Sequence, residues 1–174
     1  TNVVSIEKTE KKLTVVSEIV CKKNTFECTD IYERIDDAGS VLVTSRLHCT
    51  KGMGTVPRFG KALRFDSAFD YMEYCGRSGE SYADMKDQFP IEEVSCRVAD
   101  MTEPNIKPQE SGSRFDTRWA SVSDGNTTVR FSAVDKAFEL GIKPYSDIEL
   151  LGMKHREDEK RTGTYVTISA FQQG

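Results

Sequence analysis

Alternation with period two constrains this chain more than any other feature. In Val41-Leu42-Val43-Thr44-Ser45-Arg46-Leu47-His48-Cys49-Thr50, the odd positions Val41, Val43, Leu47 and Cys49 are mostly apolar, whereas Thr44, Arg46, His48 and Thr50 are polar. Successive side chains of a strand point to opposite faces, so this is a strand with one buried face. The stretch 25–35 reads as its upstream partner, with Asp36-Asp37-Ala38-Gly39-Ser40 as the hairpin loop between them. Further strands are predicted at 13–21, 69–75, 93–101, 116–123, 127–134, 147–153 and 164–171, and Asp124-Gly125-Asn126 is a hairpin signal joining two of them. Helical signals are short, at 81–88, 135–140 and 154–161. Strands punctuated by turns roughly every 8–15 residues imply an all-β antiparallel sandwich or barrel. Residues 1–174 read as a single β-sandwich domain, with the Pro-, Gly-, Ser- and Asn-rich 102–113 as a long loop inside it.

Charge and hydropathy narrow the partners. A hydrophobic fraction of 37% with 30% charged residues suits a folded domain rather than a disordered chain. The net charge of −4 comes from interspersed signs, and the cluster Lys154-His155-Arg156-Glu157-Asp158-Glu159-Lys160-Arg161 nearly cancels itself. Nucleic-acid binding needs positive charge gathered on one face, so no nucleic-acid partner is expected. No apolar run approaches the ~20 residues that cross a bilayer, so no membrane partner is expected either. The start, Thr1-Asn2-Val3-Val4-Ser5, carries no initiator Met and no signal pattern, and reads as a cut inside a longer chain.

Residues suited to chemistry are sparse. The five cysteines, at 21, 28, 49, 75 and 96, include no C-x-x-C pair. They read as reduced, mostly buried thiols, with one or two disulfides as the alternative. Neither His48 nor His155 has the context of a nucleophile–base pair, no metal-ligand spacing is recognisable, and no glycine-rich phosphate loop occurs. The 28 carboxylates leave a glycosidase-type acid pair undecided, since spacing in sequence cannot locate one. Two stretches exceed plain scaffolding. In 73–86, Arg77, Glu80, Tyr82 and Asp84 crowd around two glycines; in 108–119, Gln109, Glu110, Arg114, Asp116, Arg118 and the single tryptophan, Trp119, fall within twelve residues. Planar polar groups beside an aromatic face suit a sugar. The competing reading is a loop fixed by an Arg–carboxylate network with Trp119 as a core anchor.

These stretches carry a resemblance. Glu73-Tyr74-Cys75-Gly76-Arg77 and Glu80-Ser81-Tyr82-Ala83-Asp84 match the start and middle of E-[YW]-x-G-R-G-P-x-E-N-Y-P-D-R. Residues 104–119, ending Arg114-Phe115-Asp116-Thr117-Arg118-Trp119, match P-Y-x-x-P-Q-E-N-G-N-R-x-D-x-R-W. Val56-Pro57-Arg58-Phe59-Gly60, Phe131-Ser132-Ala133, Lys154-His155-Arg156 and Phe171-Gln172-Gln173-Gly174 follow in family order. The chain thus resembles the C-terminal (small-chain type) domain of the long β-galactosidases of glycoside hydrolase family 2. It departs at Ser78, Gly79, Ser81, Ala83, Met85, Asn105, Ser111 and Ser113, and its first motif is one residue shorter.

The resemblance implies a large antiparallel β super-sandwich, galactose-mutarotase-like, that is a slightly truncated piece of a multidomain enzyme. It implies a non-catalytic role: the glutamates that cleave β-galactosides such as lactose lie in a separate (β/α)₈ barrel, and this domain shapes the cleft and supports assembly. It places the family's Mg and Na in other domains and no cofactor here. Partners are the other domains of a homo-oligomeric parent and galactosides, and the compartment is the cytoplasm, with the periplasm as alternative. The family's cleft tryptophan follows the motif matched at 172–174, so Trp119 is not its counterpart. Two readings stay open beside this one. One is a carbohydrate-binding module using 77–84 and 109–119; the other is a mutarotase-like epimerase, which needs a general acid and base that neither histidine is placed to supply.

Overall fold

The computed structural model describes residues 1–52, 56–79, 84–102, 105–108 and 112–172. Two compact units divide the chain, at 1–56 and 57–174. Among the described residues every strand pairing is antiparallel, and the all-β architecture expected from the alternation is what forms.

The first unit is a meander of β1 (Asn2–Lys8), β2 (Lys12–Cys21), β3 (Asn24–Arg34) and β4 (Val41–Lys51), adjacent in chain order. The 36–40 loop forms as predicted: Ile35 N–H donates to the Ser40 carbonyl, the Asp36 carboxylate accepts from Ser40 N–H, and Gly39 takes φ +96°, which favours glycine. Leu13, Tyr32 and Val43 share one rung, and Cys28 and Leu47 another, so one face of this sheet is largely apolar.

The second unit is a two-layer sandwich. One sheet has the order β10 (Thr128–Ser132), β9 (Trp119–Ser123), β6 (Tyr71–Arg77), β7 (Ile91–Arg97); the other has β5 (Arg58–Phe65), β12 (Thr164–Gln172), β11 (Phe138–Lys143), β8 (Arg114–Thr117). Alternate residues from each layer meet in the core: Met72, Tyr74, Ala120 and Val122 from the first, Phe138, Leu140, Ile142 and Val166 from the second. Val98 and Met101, from a 3-10 turn after β7, complete it. Burying such side chains contributes about 1.5–3 kcal/mol each, the term that closes the layers.

Several expectations are corrected. Residues 135–140 are not helical; Phe138, Leu140 and Ile142 alternate inward on β11, so packing overrides helix-forming composition. Residues 147–153 are not a strand but the helix α1 (Asp147–Gly152), started by a capping box: Ser146 Oγ accepts from Glu149 N–H while the Glu149 carboxylate accepts from Ser146 N–H. The strand at 93–101 ends at Arg97. That at 116–123 breaks at Arg118 into β8 and β9, which belong to different sheets. Helix at 154–161 reduces to one 3-10 turn, Arg156–Asp158, and of 81–88 only Lys86–Gln88 forms one, with 81–83 outside the described residues. The cysteines are all free, but only Cys28 is buried; Cys21 and Cys49 are exposed.

Candidate functional site

The end of β6 meets β8 where the two motifs converge. Gly76 permits the approach: a Cβ there would lie 2.7 Å from Thr117 Oγ1 and 3.0 Å from Thr117 Cα. The next residue, Arg77, donates Nε to Asp116 (2.9 Å), Nη1 to the Phe89 carbonyl (2.8 Å) and Nη2 to Asp87 (2.6 Å). Lys86 donates to the other Asp116 oxygen at 2.9 Å. Burial raises the Asp116 pKa, but the hydrogen bonds from Lys86 and Arg77 outweigh it and hold the carboxyl below its usual range. Arg77 is therefore engaged along its whole guanidinium by internal partners, in the manner of the Arg–carboxylate network.

The other predicted residues divide. Arg114 is buried and helps offset the burial that raises the Tyr74 hydroxyl's pKa; that hydroxyl donates to the Ser78 carbonyl. Arg118 is exposed, and its backbone bridges strands, donating N–H to the Cys75 carbonyl at 2.7 Å and accepting from Ala133 N–H at 2.9 Å. Asp84 is exposed. Glu80, Tyr82, Gln109 and Glu110 lie outside the described residues.

Trp119 is not a core anchor. Ala120 and Val122 of β9 point into the core, so Trp119, Ser121 and Ser123 face the opposite way, onto the open side of the sheet. The Arg130 guanidinium stacks over the indole, 4.0 Å from its centroid. On the same face Arg97 stacks over Tyr71 at 4.0 Å, donates to its hydroxyl at 2.8 Å and pairs with Asp70, which Arg161 also contacts. Register places Ser121 between Arg130 of β10 and Glu73 of β6, and Cys75 beside Glu93 of β7. The small serines of β9 thus lie between longer side chains on both sides.

The sequence did not single out Lys86, Asp87 or Arg130, and it gave Asp116 no partner. Pairing across 39 residues, as between Arg77 and Asp116, leaves no trace in local spacing. Arg130 was reachable: the 124–126 turn pairs Ser123 with Thr128, and counting back sets Arg130 opposite Ser121, diagonal to Trp119. Among the described residues no three His, Cys, Asp or Glu side chains gather as a metal site, and no helix is long and apolar enough to cross a membrane.

A family model described as "Beta galactosidase small chain" matches residues 1–174. The chain is 29% identical to a β-galactosidase of Streptococcus thermophilus over 174 residues, covering 98% of this chain and 17% of that protein. It is 30% identical to a β-galactosidase of Staphylococcus xylosus over 138 residues, covering 78% and 14%. With that of Priestia megaterium it shares 26% over 161 residues, covering 87% and 16%. The chain thus spans less than a fifth of these relatives' lengths. The match in sequence, running through the Arg77 and Trp119 motifs and over both units, places the chain in the β-galactosidase small-chain family.

Proposed function

We propose that this chain is a non-catalytic domain of a β-galactosidase. It packs against the other domains of a larger, homo-oligomeric enzyme, shapes its cleft and supports its assembly. The observation that carries this reading is the state of the motif residues. Arg77 and Asp116 are engaged in tying β6, β8 and the 86–89 segment together, which is the work of a scaffold. The two-layer sandwich of 57–174 supports a mutarotase-like super-sandwich as the architecture of the whole domain. Hydrolysis in the parent would use two carboxylates flanking the glycosidic oxygen, one as nucleophile and one as acid and then base. That pair, and the Mg and Na of the family, are assigned to other domains, and the parent to the cytoplasm.

The test has two arms. The purified chain is expected to release no chromophore from a chromogenic β-galactoside. A β-galactosidase carrying this sequence is expected to lose activity when 1–174 is deleted and regain it when the chain is supplied separately. Hydrolysis by the chain alone, with contaminating enzyme excluded, would overturn the reading.

A further inference from the structure

The β1-β2-β3-β4 sheet has two unlike faces. Register puts Glu18, Glu27 and His48 on one rung, all exposed, with Arg46 beside Thr29 on the next, so that face belongs to water. On the other face Val3 and Ile6 of β1 join Leu13 and Val15 of β2, Tyr32 of β3, and Val41 and Val43 of β4. A sheet with one apolar face is stable when a second layer covers it. Here the cover is partial. Among the described residues of 1–56, the buried apolar side chains are Phe26 and Cys28, at 9% and 5% exposed. At the β1 margin Val3 and Ile6 are 60% and 63% exposed, and toward the 36–40 loop Val41 and Val43 are 52% and 47% exposed.

The second unit differs, because it closes its apolar side chains between its own two layers. The open strip of the first unit crosses four strands, three spacings of about 4.8 Å each, or about 14 Å in all. An exposed apolar strip of this extent marks a contact with another surface. Strand addition at the free edge of β1 is the other way to engage this sheet. The bulge between Val3 and Ser5 works against it, since a bulge twists an edge away from a straight partner. The contact therefore belongs to the face and not to the edge.

Two occupants compete for it, a second copy of this chain and the rest of the longer enzyme. Asp30 lies at the centre of the face, between Val15 and Ser45, and accepts from Ser45 Oγ at 2.7 Å. Two copies stacked face to face would carry two such carboxylates into one apolar layer, where like charges are costly. An unlike partner brings no second carboxylate. The family match runs through all four strands of this sheet, and the chain spans less than a fifth of its relatives' lengths, so most of such a polypeptide is available to cover the strip. We propose that the face bearing Val3, Ile6, Val41 and Val43 docks against an uncharged, aliphatic surface of the β-galactosidase polypeptide outside residues 1–174. The inference rests on the reading of this chain as part of a larger enzyme and adds which face makes the contact.

The test compares the chain alone with an intact β-galactosidase that carries it. Ile6→Asp and Val43→Asp put a charge on the apolar face; Val20→Asp, at 59% exposure, puts one on the opposite face. In the chain alone all three are expected to keep the urea midpoint of the unsubstituted chain, because the sites are exposed. In the intact enzyme Ile6→Asp and Val43→Asp raise the rate of thermal inactivation by about tenfold or more, since a charge is forced into an apolar contact, whereas Val20→Asp does not. Hydroxyl-radical labelling needs no variant: oxidation of Val3, Ile6, Val41 and Val43 falls several-fold from the chain to the intact enzyme, and that of Val20 holds. The proposal is overturned by equal labelling in the two samples, by aspartates that act alike on both faces, or by a dimer of the chain in sedimentation that Ile6→Asp abolishes, which would give the face to a second copy. Galactose release separates the two readings. Hydrolysis by the chain alone would defeat the non-catalytic assignment and leave the docking face; equal labelling with an inert chain would defeat the face and leave the assignment.

Discussion

Replacing Arg77 by methionine should destabilise the second unit. Three hydrogen bonds disappear. The one to Asp116 joins side chains that are 17% and 29% exposed, so it lies between the buried and surface limits. A hydrogen bond to a charged group contributes about 1.5–3 kcal/mol, and the low end applies because Lys86 still holds Asp116. Leaving the Phe89 carbonyl without its donor costs about 1 kcal/mol more. The bond to Asp87, whose side chain is 84% exposed, contributes close to nothing. The total is about 2.5–3 kcal/mol, which lowers the urea midpoint by about 1.3 M if the unfolding slope is about 2 kcal/mol/M.

A double-mutant cycle isolates the central pair. Asp116 has φ +52°, a conformation that asparagine tolerates, so Asp116→Asn removes the charge without adding backbone strain. The coupling between Arg77→Met and Asp116→Asn is expected at about 1–1.5 kcal/mol. Acid supplies a second check. The folded-state pKa of Asp116 is depressed, so its contribution is present above the unfolded value near 3.8 and is lost as pH falls through the folded pKa. The stability gap between the parent and Asp116→Asn should therefore close as pH drops below 3.8. Coupling under about 0.3 kcal/mol, or a gap that ignores pH, would refute a structural role for this pair.

Three other outcomes are expected. Gly76→Ala places a methyl 2.7 Å from Thr117 Oγ1 and 3.0 Å from its Cα, where backbone cannot yield cheaply; a loss of about 2 kcal/mol in thermal or urea unfolding is expected, and an unchanged midpoint would contradict the close approach. Ser146→Ala removes the α1 cap at a cost of about 1 kcal/mol, read as faster hydrogen exchange at the Glu149 amide, while Ser146→Thr stays near the parent. Tyr145, buried and facing Glu159, has its pKa pushed up to about 12 from 10.0. Its contribution is intact below pH 10 and lost as pH rises through about 12, so Tyr145→Phe should flatten that part of the alkaline stability profile; an ultraviolet titration midpoint near 10 would sink the assignment.

Where a strand has one face in the core and one in water, as in β3 and β6, its alternation announced it; alternation also located β4, but there Val41, Val43 and Cys49, expected on a buried face, are exposed. The strands that escaped notice lack this contrast. Every residue of β1 is exposed, and a bulge between Val3 and Ser5 shifts its phase. In β5, Lys61 interrupts the row formed by Phe59, Leu63 and Phe65. Apolar residues misled at 147–153 for a related reason. Ile148 and Leu151 are 83% and 87% exposed, so their spacing recorded no buried face, whereas Ser146 and Glu149 spelled a capping box that outweighs it. Long-range partners such as Arg77 and Asp116 were beyond reach, because the chain must close into a sandwich before they meet.

The segment Arg114–Trp119 shows why a single motif can look like a binding site and be mostly architecture. Within six residues the chain leaves one sheet and enters the other. Such a crossing needs a backbone reversal, and Asp116 supplies it in the left-handed region at φ +52°, where a short polar side chain is tolerated. The reversal carries the Asp116 carboxylate toward Arg77 and Lys86, and the resulting ion network pins the corner. Arg118 then fixes the entry to β9 through its N–H to Cys75 and its carbonyl to Ala133. Charged and polar residues gather here because a corner between layers exposes backbone groups and charges that must be satisfied. Trp119, the first residue beyond the corner, has no such duty. Its side chain emerges on the open face, where the Arg130 guanidinium stacks over the indole.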